Sequence, residues 1–269
     1  YYNWIKNQGS QRRLEEQKYL ELIRKHYQLS KGRYGQLRIL RAIRKEGYSV
    51  NKKRIIRIMR NNGIYSRTKL KFRVTTKQNP SAFFSPNLLG GCFDTTGINQ
   101  VWTSDITYLY TPGGWMYLAV VIDIYNREII GWAIDQKATA DLVIKALTRA
   151  VMKRKPEQGI IFHSDRGSQY SSSKLRSMLN HYNFRQSMSS TGNCYDNAIT
   201  ETFFSTLKKE LIYLEDFKTK EQMRTAVFEF IEIFYNRQRL HSSLDYLSPV
   251  DYLKTKMEDI REDIKSEVA

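Results

Sequence analysis

Cysteine and histidine are scarce in this sequence, and neither is arranged in pairs. The 269 residues include two cysteines, Cys92 and Cys194, and four histidines at scattered positions. A structural zinc site needs closely spaced cysteine or histidine pairs, and a disulfide framework needs more cysteines than these. The sequence therefore predicts neither kind of stabilisation.

Long apolar runs and internal repeats are also missing. No stretch approaches the length that spans a bilayer, and the first residues lack the pattern of a signal peptide. A hydrophobic content of 41% is still enough for a core in one large or two modest domains. These features predict a soluble intracellular protein.

Positive charge is abundant, and it is concentrated at one end of the chain. The formal net charge is +17. Residues 1–80 hold 22 Lys and Arg against 4 Asp and Glu, whereas residues 81–269 hold 22 against 23. A segment of this sign binds polyanions through counterion release. A solvated basic face or arm would have the same composition, but these charges are also patterned.

The basic segment has the periodicity of three short helices. Apolar residues recur at helical spacing in 14–27, 34–45 and 52–60, and Asn51 is placed as the N-cap of the third. A basic third helix is typical of a helix-turn-helix, in which it enters the major groove. Contact with phosphates alone would fit the same charges. The predicted DNA contacts of this region are Arg33, Lys53, Arg54, Arg57 and Arg60.

The residues after this segment alternate between strand and helix patterns. Strands are predicted at 101–111, 115–124, 128–135, 159–164 and 184–189, and helices at 139–153 and 172–182. Short turns make the first three strands antiparallel hairpins. This order is that of an RNase H-like α/β fold, a mixed five-stranded sheet with flanking helices. The first and fourth strands are then neighbours.

Three acids stand at special places in these elements. Asp105 lies on the first strand, Asp165 ends the fourth after 59 intervening residues, and Glu201 follows after 35 more, in a segment with helical spacing. Carboxylate oxygens suit Mg²⁺, and two such ions about 4 Å apart clamp the attacking and leaving oxygens of a phosphodiester. Without metal, the charges repel and a carboxylate takes up a proton. Taken singly, each acid also fits an ordinary strand end or helix surface.

The sequence around each acid resembles a known family. The three stretches are 102–108 (Trp-Thr-Ser-Asp-Ile-Thr-Tyr), 162–170 (Phe-His-Ser-Asp-Arg-Gly-Ser-Gln-Tyr) and 192–204 (Gly-Asn-Cys-Tyr-Asp-Asn-Ala-Ile-Thr-Glu-Thr-Phe-Phe). Together they resemble the catalytic core of DDE transposases and retroviral-type integrases, above all the second-frame (OrfB) protein of two-frame bacterial insertion sequences. Residues 235–249 are similar to the tail that follows this core, so that the resemblance covers roughly 15–253.

The resemblance implies a metal-dependent DNA recombinase. Asp105, Asp165 and Glu201 would hold two Mg²⁺ ions, with Mn²⁺ as a possible substitute, while first a water and then a DNA 3′-hydroxyl attack a phosphodiester. The implied partners are element-end DNA, a target duplex and a second protomer, with no membrane and no small-molecule substrate. The implied location is the bacterial cytoplasm, with the nucleoid. A circular intermediate before insertion is also implied.

Further DNA contacts are predicted beyond the three acids. Lys208 lies two helical turns after Glu201 and so projects from nearly the same face, and the family carries a basic residue there. An ordinary surface lysine remains the alternative. A second predicted group before residue 247 consists of Arg237, Arg239 and His241, for which a salt-bridged helix end is the alternative. Asp123, on the second strand, is expected to be structural.

The domain organisation follows from these patterns. An extension at 1–13 precedes a helix-turn-helix domain at 14–65, and a basic linker at 66–98, or a plain flexible spacer, leads to the catalytic core at 99–214. A helical extension at 215–256, with a helix from 219 to about 237, precedes an acidic tail at 257–269 without a firm pattern. A nuclease or resolvase on the same fold, or a non-catalytic DNA-binding regulator, would share much of this organisation.

Overall fold

Three helices form the amino-terminal part of the protein. The computed structural model describes residues 11–68, 84–90, 94–157, 159–189 and 198–268. Most of the predicted extension, much of the predicted linker and both cysteines therefore lie outside the described residues. The helices are α1 (Gln11–Leu29), α2 (Gln36–Lys45) and α3 (Lys52–Asn61). As predicted, Asn51 caps α3, and its side chain accepts a hydrogen bond from the Lys53 backbone at 2.8 Å.

A mixed five-stranded sheet forms the centre of the second part. Its strands are β1 (Val101–Thr111), β2 (Gly114–Asp123), β3 (Ile129–Asp135), β4 (Ile161–Ser164) and β5 (Arg185–Met188). The spatial order is β3-β2-β1-β4-β5, with antiparallel pairing among β1, β2 and β3 and parallel pairing of β4 with β1 and β5. This order confirms the predicted RNase H-like fold and the predicted contact between the first and fourth strands.

Two helices cover one face of the sheet. They are α4 (Ala140–Arg154) and α5 (Ser173–His181), and their apolar sides pack on residues such as Trp102 and Phe162. Helix α4 lies unusually close to β3 at Gly131, where a Cβ atom would stand 2.2 Å from the carbonyl oxygen of Ala146. Glycine is required at this position because any side chain would force the helix away from the strand.

The other face of the sheet is covered by the carboxy-terminal helices. Helix α6 (Ala198–Leu207) continues into a π-helical turn at Lys208–Ile212, and α7 (Lys220–Phe228) continues into another at Glu229–Tyr235. These elements share one apolar cluster with β1, β2 and the core of α1–α3. The amino-terminal helices therefore pack directly on the elements that follow the sheet.

The carboxy-terminal segment is more regular than its sequence pattern indicates. Helix α8 runs from Pro249 to Val268, so the acidic tail at 257–269, for which the sequence shows no firm pattern, continues a helix as far as Val268. The predicted helix from 219 to about 237 agrees with α7 and its continuation. Across the described parts of the chain, no helix has the length and apolar character needed to cross a membrane.

Candidate active site

Asp105 and Asp165 lie side by side because they follow paired residues of adjacent parallel strands. The last registered pair between β1 and β4 is Ser104 with Ser164, and each serine immediately precedes one of the aspartates. Neighbouring strands are about 5 Å apart. The Asp165 side chain accepts a hydrogen bond from the Gly167 backbone at 2.9 Å, and Asp105 accepts one from Ile106 at 2.7 Å. The sheet thus brings two acids together that are far apart in sequence.

Glu201 reaches the same region from the first turn of α6. The residue before it, Thr200, is buried, and its hydroxyl lies 3.0 Å from the hydroxyl of Thr103 on β1. This contact fastens the start of the helix beside β1, two residues before Asp105. Glu201 itself is exposed, whereas Asp105 and Asp165 are partly buried. The glutamate therefore stands at the open side of the aspartate pair.

The electrostatics of the aspartate pair oppose full ionisation. Burial, followed by the negative charges of Asp165 and Glu201, raises the pKa of Asp105 to about 8. Burial also raises the pKa of Asp165 and that of Glu201, which is the less buried of the two. The charge of a bound cation would offset both the cost of burial and the repulsion that cause these shifts.

The donor set of the site matches a hard divalent cation. Carboxylate oxygens are the ligands that Mg²⁺ takes from proteins, and the proximity of the two aspartates leaves negative charge to be neutralised. Within the described ranges, no group of three or more His, Cys, Asp or Glu side chains already stands at metal-holding spacing. The two aspartates lie at the ends of the paired stretches of β1 and β4, and the charge of Glu201 on α6 acts on Asp105.

Tyr170 supports the two aspartates from behind, and the sequence analysis did not single it out. It is 1% exposed, and its hydroxyl lies 3.0 Å from the hydroxyl of Ser104. Burial and then the nearby Asp105 and Asp165 raise its pKa well above the ordinary value, so the phenol stays protonated. Its place in the 162–170 stretch around Asp165 is the signal that the sequence offers for this role. A buried tyrosine needs a partner for its hydroxyl, and here that partner is Ser104.

Lys208 lies beside the acids, at the start of the π-helical turn after α6. Its ammonium stands 4.9 Å from the ring centre of Tyr108. Burial lowers the pKa of Lys208, while Tyr108 and Asp105 oppose that shift by attracting the charged form. The structure therefore places a cation within electrostatic reach of Asp105.

Three residues predicted to contact DNA are instead buried in the interior. Arg33, Arg239 and His241 are 5%, 7% and 7% exposed. Arg239 donates hydrogen bonds of 2.8 and 2.9 Å to the carboxylate of Glu210, and Arg33 donates one of 2.7 Å to the backbone oxygen of Glu210. Burial and then the charge of Arg239 lower the pKa of His241 to about 2, so its ring is neutral. The prediction for these three is corrected: they are interior packing residues.

The remaining predicted contacts are accessible to different degrees. Lys53, Arg60 and Arg237 are exposed. Arg54 and Arg57 on α3 are partly buried and pair with Glu15 and Glu16 of α1 at 3.0 and 3.3 Å. Those two arginines are therefore partly neutralised, and the free positive charge of α3 is concentrated on its other cations.

A cleft of about 860 Å³ lies between the amino-terminal helices and α6. Glu201 and Lys209 line it on the α6 side, and Arg38, Ser66 and Thr68 line the opposite side. Of the three acids, Glu201 lines this cleft, whose walls come from both parts of the protein.

Asp123 has the structural role expected of it. It is fully buried, and it accepts hydrogen bonds from the backbones of Asn99 and Tyr125 at 3.0 and 3.1 Å. These bonds close the loop ahead of β1 onto the end of β2, away from the aspartate pair.

Family models match both parts of the chain. Two models described as integrase core domain match residues 96–194 and 201–257, and a model described as HTH-like domain matches residues 13–72. The class defined by the fold and these matches is therefore an integrase core preceded by a helix-turn-helix-like domain.

Similar proteins come from insertion sequences of bacteria. The chain is 43% identical over 223 residues to transposase InsF of insertion sequence IS3A from Escherichia coli K12, covering 83% of this chain and 77% of that protein. It is 38% identical over 246 residues to the transposase of element IS904 from Lactococcus lactis, covering 91% and 97%. It is also 38% identical over 252 residues to a 31 kDa protein of element IS600 from Shigella sonnei, covering 94% and 93%. The chain belongs to the transposase family of insertion sequences.

Solved structures with a related shape are distant. A simian T-cell lymphotropic virus intasome chain aligns with a TM-score of 0.48 at 14% identity, covering 85% of this chain and 73% of that one. The assignment rests on the family models and the relatives, since TM-scores below 0.5 add nothing to it.

Proposed function

We propose that this transposase cuts and joins DNA strands at the ends of its element by transesterification, using Asp105, Asp165 and Glu201 as its catalytic acids. The observation that supports the proposal most directly is the register of β1 and β4, which makes the two aspartates neighbours beside Glu201. Three carboxylates that repel one another are of no use to a protein that only binds DNA, because they cost stability.

The three acids would hold two Mg²⁺ ions, with Mn²⁺ as a substitute, and the ions would activate the attacking hydroxyl and stabilise the leaving oxygen. The residues of the chain have separate tasks around that centre. Asp105 and Asp165 provide the fixed inner ligands, and Tyr170 holds β1 in place through Ser104. Glu201 closes the site from α6, and Lys208 receives the phosphate of the bound strand.

Element ends and target DNA are the proposed substrates, and two ends require at least two protomers. In each step, the oxygen of a water or of a DNA 3′-hydroxyl forms a bond to phosphorus while another phosphorus–oxygen bond breaks. The proton of the attacking hydroxyl leaves to solvent, and the departing oxygen takes up a proton from solvent and becomes a new 3′-hydroxyl. We propose the bacterial cytoplasm, beside the nucleoid, as the location.

The test is an incubation of the full chain with labelled element-end duplexes, a target duplex and Mg²⁺. We expect strand-joined products with Mg²⁺ or Mn²⁺ and none with EDTA. Cleaved but unjoined DNA would favour a nuclease on the same fold, and bound but unaltered DNA would favour a regulator. Gel separation of joined from cleaved strands distinguishes these outcomes.

We expect α3 to contribute most of the phosphate contacts of the amino-terminal domain. The double variant Lys53→Ala/Arg60→Ala should weaken binding to end duplexes and lower the slope of log K against log salt by about 2, since each lost phosphate contact removes about 0.9. Fluorescence anisotropy at several salt concentrations measures both quantities. Lys174→Ala, which removes an exposed lysine from α5, is the matched control and should leave the slope unchanged. An unchanged slope in the double variant would remove α3 from the DNA interface.

A further inference from the structure

Three large aromatic side chains remain exposed together on the β1–β2 hairpin. Tyr108, Tyr110 and Trp115 are 41%, 59% and 49% exposed. The ring of Trp115 stands edge-on to both tyrosines, with centroid distances of 5.4 and 5.0 Å. Single exposed aromatics are ordinary, but a contiguous group marks an interaction surface. We call these three residues the aromatic platform.

The platform lies close to the catalytic acids because β1 continues past its parallel neighbour. In the described structure, β4 pairs only with Val101–Ser104, so Asp105 to Thr111 extend beyond it. Tyr108 is the third residue after Asp105, about 10 Å further along the strand. Side chains alternate along a strand, so Tyr108 projects from the other face of β1 than Asp105 does, and an occupant of the platform would approach the acids at Lys208.

Lys208 connects the platform with the acids. Its ammonium stands 4.9 Å from the ring centre of Tyr108, and Asp105 attracts its charge. An ammonium beside an aromatic ring matches the two parts of one nucleotide, since the cation binds the phosphate and the ring stacks on the base. This charge favours a nucleic acid over an apolar protein segment as the occupant.

The base that stacks here must be unpaired. Inside a duplex, both faces of a base are covered by its neighbours, so that only an extruded or single-stranded base can present a face to a protein ring. We infer that the aromatic platform binds an unpaired nucleobase of the DNA strand that carries the reacting phosphate, while Lys208 holds a phosphate of the same strand. This inference rests on the proposed function, because it assumes that DNA occupies the site.

The experiment compares three end duplexes in EDTA, so that no strand is cut. One is blunt, one carries a two-nucleotide single-stranded extension at the reacting end, and one carries the same extension with abasic sugars. We expect the wild-type chain to prefer the base-bearing extension over the abasic one by about tenfold, since only the base-bearing extension can stack on the aromatic rings. The abasic extension keeps the phosphates and so separates stacking from charge.

Variants of the platform should remove this preference selectively. Tyr110→Ala and Trp115→Ala should bring the ratio of the two affinities close to one while leaving affinity for the blunt duplex unchanged, and Trp115→Phe should keep the ratio. Phe228→Ala removes an aromatic of similar exposure beside Trp132 and should have no effect. Equal affinities of the wild type for base-bearing and abasic extensions would overturn the inference.

Other outcomes also decide the question. If Trp115→Ala changes the sedimentation of the free chain and not the affinity ratio, the platform is a contact between protomers and the inference is wrong. If the wild type joins DNA ends but shows no preference for bases, the proposed function stands and the stacking site falls. If the wild type does not bind end duplexes at all, both fall.

Discussion

Asp105→Asn is expected to abolish strand joining while leaving DNA binding intact. The substitution removes one inner carboxylate from the aspartate pair and with it a ligand of the proposed metal site. The loss should be about 10³-fold or more, because metal coordination supplies several kcal/mol of transition-state stabilisation. Joining assays and anisotropy on the same preparation measure the two properties. Glu201→Gln should behave alike, since its carboxylate is the proposed ligand contributed by α6.

The same variant should be more stable than the wild type when metal is absent. The pKa of Asp105 rises from the ordinary 3.8 to about 8 in the folded protein. A carboxyl group with a raised folded pKa costs stability as pH increases from 3.8 to about 8, and costs nothing below that range. At neutral pH this penalty amounts to at most about 4 kcal/mol, and an asparagine does not carry it.

Thermal melting in EDTA between pH 4 and pH 8 tests this expectation. The stability gain of Asp105→Asn over the wild type should increase across that range. Added Mg²⁺ should raise the melting temperature of the wild type and not that of the variant. Asp135→Asn, a change of an exposed acid paired with Lys145, is the control: it should gain no stability across this range and should be stabilised by Mg²⁺ as the wild type is. Full joining activity in Asp105→Asn would take this residue out of the catalytic site.

Glu210→Ala is expected to be the most destabilising single change in the interface between the two parts of the protein. The Glu210 carboxylate is held by Arg239 through two hydrogen bonds and by Arg38 at 3.3 Å, and Glu210 and Arg239 side chains are 6% and 8% exposed. Removing the acid leaves two guanidinium groups without their counter-charge, one of them buried. Breaking a buried pair in this way costs about 3–5 kcal/mol.

Urea unfolding measures this cost. Asp135→Ala breaks the exposed pair with Lys145 and should change the free energy of unfolding by less than about 1 kcal/mol. Glu210→Gln keeps the size and part of the hydrogen bonding, and it should fall between the two. A loss of less than about 1 kcal/mol in Glu210→Ala would mean that the arginines find other partners or water, and that the cluster does not hold the two parts together.

The local pattern of the sequence was enough for most elements and for the aspartate pair. The strands have alternating or continuous apolar runs with turn residues between them, so their bounds agree with the structure within two residues. Once the strand order was inferred, the closeness of Asp105 and Asp165 followed, because both end their paired stretches. The raised pKa of Asp105 follows first from its burial and then from that closeness.

The sequence could not reveal which basic residues are buried. The charge of Arg33 and Arg239 and their basic neighbours predict contacts with DNA. Their partner Glu210 is 177 residues from Arg33 and 29 from Arg239, and no local pattern indicates that contact. A buried charged residue cannot be distinguished from a surface one by its local sequence, because its burial depends on a partner that is distant in the chain.

Helix α8 was missed for a different reason. Its later apolar residues Met257 and Ile260 are 47% and 55% exposed, so no strong apolar stripe marks that part of the helix. The Lys, Glu and Arg residues of this segment have high helix propensity, so the helix that begins at Pro249 continues through it. Periodicity is a weak signal wherever a helix has little to pack against.

The contacts of Glu210 with Arg33, Arg38 and Arg239 also limit how far the amino-terminal helices can be exchanged between transposases of this family. Arg33 and Arg38 belong to the HTH-like domain. The oxygens that accept their hydrogen bonds, including the backbone oxygen of Leu240, belong to the part matched by the integrase core models. Helices α1–α3 taken from a relative would therefore dock here only if they bring the same two arginines. Helices α1–α3 and the residues around Glu210 form a matched pair, so an exchange of these helices between transposases requires the contacting residues of both parts.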